Sequence, residues 1–450
     1  MSKRNVVPSD GRRARTRRQV LTTLGAAGAL GLAGCSGGDG GDGGDRGSGD
    51  SSDDGGSTGG DGPDPVTVGV SIPTTGGALP EGEELKAGYD LAVRHLNDGA
   101  GLASGTTIQE GLGGGILDRP VETVVRDTKS TASGAKASAT TLVTDEGADV
   151  LVGGGSSVEA LAQASVADAE STVYMAGFAP TPDLGGSACS KYAFNEMCTT
   201  TLIGQALAPA LRSQFGTENL FGQLYPNTDL GKSLFADVQE PLEETIDWRQ
   251  IGAESARVGT TEFRTPLERL IELGPDVIVL NFTGLDGADA LREAREVIPE
   301  EIGIVAPLFN RPMARNTGDP LQDIIGTVHW DAAIDNDVGE AFVEAWDGGG
   351  HPSGLAHLAY TQLFQYAAAA ERAGSTAPDA VVSALEGHQY DHGVGQSTLR
   401  ACDHQSMRPV PVVKGLPGSA QSDGTYFRMF EVNGDVGYPC EDKPAADCSV

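Results

Sequence analysis

The stretch VLVGGGSSVEALAQASVADAESTVYMA, Val150 to Ala176, decides the fold. Val150-Leu151-Val152 is a short apolar run that reads as a buried strand, and Val173-Tyr174-Met175-Ala176 reads as another. Between them Ser156 to Ala169 reads as a helix, entered through Gly153-Gly154-Gly155. Strand, helix and strand in succession point to a parallel sheet with crossover helices. The same alternation runs outward in both directions. Upstream lie a strand at Val66–Val70, a helix at Glu84–Asn97, a strand at Val121–Arg126 and a helix at Ser133–Asp145. Leu85, Tyr89, Ala92, Val93 and Leu96 share one face of the first of these helices. Downstream, helices are expected at Leu202–Gln214, Leu230–Glu244, Glu262–Leu273 and Ala288–Val297. They alternate with strands at Leu220–Tyr225, Ile246–Ile251, Val277–Leu280 and Ile304–Ala306. Later helices are expected at Glu340–Trp346 and Ala356–Ala373. This is too much chain for one core, so the fold class is α/β with two doubly wound parallel-sheet lobes.

Composition narrows the setting. With 63 acidic against 31 basic residues the formal net charge is -32. Such a surface repels nucleic acid and anionic membranes. It resembles the surfaces of halophilic proteins, because molar salt shortens the Debye length to roughly 3 Å and screens exposed carboxylates from one another. Residues 36–64 are almost entirely Gly, Asp and Ser, a composition that reads as a disordered tether. Ahead of it, Arg17-Arg18 precedes an apolar run from Val20 to Ala33, too short for a permanent membrane span. The twin arginine resembles a Tat export signal, and Leu32-Ala33-Gly34-Cys35 resembles a lipobox, so residues 1–35 are expected to be a signal with Cys35 the site of lipid attachment. The expected location is the outer face of a membrane in a salt-loving archaeon. Cys189, Cys198, Cys402, Cys440 and Cys448 remain for disulfides. Cys189 and Cys198 are close enough in sequence to bridge a surface loop, and the odd count leaves one thiol over.

Several phrases together resemble a known family, the type I periplasmic binding proteins of the branched-chain amino acid kind, which are the extracellular receptors of ABC importers. They are Val68-Gly69-Val70-Ser71-Ile72-Pro73-Thr74-Thr75-Gly76, Leu117-Asp118-Arg119-Pro120-Val121-Glu122 with Arg126-Asp127-Thr128, and Pro275-Asp276-Val277-Ile278 with Leu291-Arg292-Glu293-Ala294-Arg295. Ala401-Cys402-Asp403-His404-Gln405 adds a phrase near the end. The resemblance runs from Val66 to Pro411. It implies two lobes joined by three hinge strands and closing on a small ligand, here divided as 66–198 plus 326–397 and 199–325 plus 398–450. It also implies a monomer whose partners are a small polar solute, the ABC permease subunits and, through Cys35, the membrane. No cofactor, metal or nucleic acid is implied. The rival reading is a sensing module of the same fold for a separate signalling partner.

In open parallel sheets, ligands bind beyond the carboxyl ends of the strands, and the candidate residues lie there. Ser156 and Ser157 follow the Val150 strand, as ligand hydroxyls or as helix caps; the resemblance places a ligand-binding serine at Ser157. Phe178, Ala179 and Thr181 follow the Val173 strand. The family's head-group threonine falls at Pro180, with Thr181 one later, and this departure widens the ligand class to other amino acids, amides, urea and organic acids. Asp229, in Asn227-Thr228-Asp229-Leu230-Gly231, is a candidate ammonium acceptor or a helix cap. Thr283 and Asp286 follow the Val277 strand, and Phe309 in Leu308-Phe309-Asn310 follows the next. The family often has an acidic residue at that last place; none is present. His388 and His392 have metal-ligand spacing across Tyr390-Asp391, which reads as a loop, so no metal site is assigned. Neither a nucleophile elbow nor a metalloprotease helix occurs, and no enzyme is expected.

Overall fold

The computed structural model describes residues 63–100, 112–319, 321–422 and 424–450; the expected signal, lipid site and nearly all of the tether lie outside them. The first sheet collects β1 (Val66–Ile72), β2 (Val121–Asp127), β3 (Val150–Gly153), β4 (Val173–Ala176) and β5 (Ala193–Asn195) in the order β2-β1-β3-β4-β5, every pairing parallel. Every residue of β1 is buried, as expected of a central strand covered on both faces. The covering helices are α1 (Leu79–Asp98), α2 (Ala132–Thr144) and α3 (Ser157–Glu170). Helix α1 begins earlier than the periodicity suggests, because Pro80 occupies a first-turn position, where its missing N–H costs nothing.

After α4 (Thr200–Phe215), a second series builds the other sheet: β6 (Leu220–Pro226), α5 (Asp229–Ile246), β7 (Arg249–Ala256), α6 (Arg264–Glu272) and β8 (Val277–Leu280). It continues with α7 (Gly284–Val297), β9 (Gly303–Leu308), α8 (Arg311–Thr317) and β10 (Ile325–Thr327). Strand β7 starts later than expected: α5 runs through Pro241 to Ile246, and Asp247 turns the chain with φ 58°. From there α9 (Asp337–Ala345), α10 (Gly354–Ala373) and α11 (Pro378–Leu385) lead to a small antiparallel sheet, β11 (Gln389–Asp391), β12 (Gln396–Leu399) and β13 (Ser406–Met407). Tyr390-Asp391, read above as loop, is therefore strand. Finally β14 (Val410–Gly415) and β15 (Phe427–Asn433) add antiparallel to β10, giving the order β15-β14-β10-β9-β8-β6-β7.

Helix α10 is buried from Leu355 to Ala370 and lies along α1. Tyr89 Oη donates to Gln362 Oε1 (3.2 Å), and His95 Nδ1 meets Tyr360 Oη (2.8 Å). The chain passes between the sheets after β5, after β10 and after β13. Asn195 and Gln405 tie the first and last passages together, Asn195 Nδ2 donating to Gln405 Oε1 at 2.9 Å. Strands β12 and β13 pair antiparallel, and the third passage leads from Met407 to β14. The disulfides also differ from the short bridge expected. Cys189 pairs with Cys448 and Cys402 with Cys440, while Cys198 is a free thiol, 1% exposed, in the core. Proximity in sequence placed Cys198 beside Cys189, but packing buries it.

Candidate functional site

The carboxyl ends of the first sheet converge on the space facing the second. At the end of β3, Gly153 and Gly154 hold φ of 119° and 93°. A Cβ at Gly153 would lie 2.3 Å from Ser71 O, so only glycine lets β3 end this close to β1. The turn delivers Ser156 and Ser157 to the start of α3, and their hydroxyls have different fates. Ser156 Oγ donates to Glu159 Oε1 (2.9 Å), and Glu159 Oε2 also accepts from Thr128 Oγ1 (2.6 Å) and Gly155 N (3.3 Å). Ser157 Oγ is buried and has no partner among the described residues. Burial raises the Glu159 carboxyl above the usual range against these hydrogen bonds.

Beyond β4, Phe178 is 2% exposed and turns into the space between the sheets, while Ala179 is fully buried and its carbonyl accepts from Asn195 Nδ2 (3.0 Å). Thr181 Oγ1 accepts from Asp183 N (3.2 Å), a local cap on the turn that follows. In the second lobe, Thr228 caps α5 through Gly231 N (3.0 Å), leaving the Asp229 side chain 95% exposed and 3.8 Å from Lys232. Thr283 is half-buried at the start of α7. Asp286 accepts from Gly259 N (2.8 Å) and so anchors a neighbouring loop. Phe309 is buried in the second-lobe core, edge-on to Phe427 at 4.9 Å. Of the sequence candidates, Phe178 lines a cavity together with second-lobe residues.

Other side chains make the inter-lobe contact, and the sequence reading had passed over them. Glu81, in the first turn of α1, is 3% exposed and packs across the gap against the Asn310 side chain at the head of α8. Gly284, which opens α7 with φ 59°, would carry a Cβ 3.3 Å from Glu81 Oε1. Glu84, one turn on, meets Arg315 Nη1 of α8 at 3.6 Å. Burial pushes Glu81 up to about 7; the nearby polar groups of its own backbone and of Asn310 oppose this, and the charges of Glu159 and Glu84 add to it.

Beside this contact a narrow cavity is lined by Phe178 and Met197 from one side and Leu308, Asn310, Arg311 and Trp330 from the other. Its free interior is about 20 Å³, room for one water. Trp330 stacks on His357 with centroids 4.5 Å apart, at the second passage between sheets. Asp331 next to it is raised to about 6 by burial, against Ala333 N–H and the charges of His351 and Arg311. Among the described residues no group of three His, Cys, Asp or Glu side chains is placed to hold a metal ion, and no helix is long and apolar enough to cross a membrane.

This arrangement of two α/β lobes around a gap agrees with a comparison against family models, in which the one described as periplasmic binding protein matches residues 65–420. The chain belongs to the periplasmic binding protein family. No curated relative matches it significantly. Among solved structures, an amino acid ABC transporter substrate-binding protein from Pseudomonas fluorescens shares 20% identity and superposes with a TM-score of 0.75, covering 86% of this chain and 100% of that one. A leucine-binding protein from Thermotoga maritima shares 20% identity with a TM-score of 0.70, covering 82% and 99%. A solute-binding protein from R. palustris in complex with benzoate shares 17% identity with a TM-score of 0.72, covering 86% and 100%. At such identities the likeness speaks for the periplasmic binding protein fold with its two lobes.

Proposed function

We propose that this protein is the extracellular solute receptor of an ABC importer, held at the outer face of the membrane by lipid on Cys35 after export through a twin-arginine signal. Its two lobes capture a small polar solute, a branched-chain or other amino acid or an amide or urea compound, and the closed form docks on the permease. The observation that carries this reading is the contact of α1 with α7 and α8 across the gap, through Glu81, Asn310, Gly284 and the Glu84–Arg315 pair. Groups from both lobes form one surface only when the lobes are shut, so a solute touching both stabilises that state by its differential affinity. The amino-acid and leucine-binding neighbours support the solute class. Ser157 is the proposed first-lobe hydroxyl for the solute, with Phe178 as its wall. Small-angle scattering in molar salt tests closure: a bound solute lowers the radius of gyration of the purified chain. An unchanged radius with a solute that demonstrably binds refutes capture by closure.

A further inference from the structure

We propose that Glu81 recognises a protonated nitrogen on the solute, which makes the first lobe the source of the cation-binding carboxylate; the inference rests on the receptor reading above. Two buried polar atoms without partners among the described residues belong to the side chains that meet across the gap, Glu81 Oε2 on α1 and Asn310 Nδ2 at the head of α8, and a third, Ser157 Oγ, opens α3 in the first lobe. The Glu81 and Ser157 residues are 3% and 6% exposed. Burying such atoms unpaired is costly, and native interiors avoid it unless something fills the place. The charges around the gap define what would fill it. Glu81, Glu84 and Glu159 are all buried there. Glu159 is satisfied by Ser156, Thr128 and Gly155, and Glu84 has Arg315. Glu81 faces Asn310, Gly284 and the two other glutamates and has no cationic partner among the described residues.

A carboxyl in this position is kept neutral by burial while the gap is empty. A ligand ammonium or amidinium placed against Oε2 returns it to the charged form, because an opposite charge at contact distance favours ionisation. The proton that Glu81 gives up leaves to solvent, so binding below neutral pH releases a proton and affinity rises as the pH approaches about 7. The Ser157 hydroxyl and the Asn310 amide are donors for an oxygen on the same solute. The end of β9 and the loop after it carry Leu308, Phe309 and Asn310 but no acid. The structure brings a carboxylate to that loop from the opposite lobe.

Matched probes test this in the full chain, in molar salt. L-leucine, 4-methylpentanoate and isopentylamine share one apolar body and differ in amine and carboxylate. Thermal midpoints and calorimetry in two buffers of different ionisation enthalpy would be recorded for the wild type, Glu81→Gln and Glu81→Asp. The expected result is binding of the amine-bearing probes with proton release at pH 6. Glu81→Gln loses at least tenfold in affinity and all of the proton release, while Glu81→Asp keeps part of both. The carboxylate binding as well as leucine, or the Gln variant binding the amines as well as the wild type, overturns the role of Glu81 and leaves the receptor reading standing. Binding of none of these probes, nor of a wider set of amides, urea and carboxylates, takes down both.

Discussion

Glu81→Gln separates the two effects of one buried carboxyl, because the same substitution that abolishes its charge also removes its cost. The Glu81 pKa is raised from 4.5 to about 7, chiefly by burial. Below 4.5 the group is neutral in folded and unfolded chains alike and contributes no difference. As the pH rises from 4.5 towards 7, the unfolded chain ionises first, so the folded state loses stability; above 7 both forms are ionised and the loss is constant. At about 1.4 kcal/mol per pH unit, the wild type forfeits on the order of 3 kcal/mol by pH 7. Glutamine keeps the shape and has no such loss. The unliganded variant is therefore expected to match the wild type near pH 4 and to exceed it increasingly up to pH 7, by at most about 3 kcal/mol. Opening of the lobes relieves the same burial without unfolding, so part of the difference will surface as a wild-type radius of gyration that grows with pH while that of the variant does not. Chemical denaturation and scattering across pH 4 to 8 measure the two. Parallel stability curves and a common radius over that range would falsify the placement of Glu81 in a dry contact between lobes.

Gly284→Ala strains a residue at φ 59° and crowds Glu81 Oε1 at 3.3 Å; a loss of about 1 kcal/mol is expected by denaturant titration. Replacing Cys189 and Cys448 together by serine opens a loop of sequence separation 259 and is expected to cost about 2–4 kcal/mol, read as a lower thermal midpoint. An unchanged midpoint would mean that the bridge restrains nothing the unfolded chain could otherwise explore. Trp330 is one of 3 tryptophans and lines the cavity. Its emission is expected to change when a solute is captured, and Trp330→Phe to abolish that change while retaining the fold; a signal that persists in the variant places the reporter elsewhere.

The periodic elements were legible because both sheets obey simple rules. Strand β8 is buried on every residue and reads as an unbroken apolar run, while β1, equally buried, reads through valines alternating with Thr67 and Gly69. Helix α10 was legible through its alanine- and leucine-rich span. What was not legible depended on distant partners. Glu81 sits in a polar run that says nothing of burial, and only the approach of α7 and α8 makes it an interior group. Ser156 and Asp286 have the residue type and position of ligand contacts, yet their oxygens engage Glu159 and the Gly259 amide. Hydroxyls and carboxylates near helix starts satisfy backbone groups as readily as ligands, and sequence alone does not tell these fates apart. Arg311 and Trp330 lay outside the strand-end loops singled out in the sequence because the cavity is framed by the passages between sheets as well as by strand ends.

The Cys189–Cys448 bridge has a topological consequence. The bonded span contains the whole of the second sheet, with Cys402–Cys440 nested inside it. The final segment leaves β15, passes α4 where Gly437 N donates to Gln205 Oε1 (2.7 Å), and returns to the first lobe beside Gly186. The molecule is thus a covalent ring closed outside the three passages. A single backbone cut anywhere on that ring leaves both halves joined, so a protease that nicks an exposed second-lobe loop yields one particle rather than two fragments until a reductant is added.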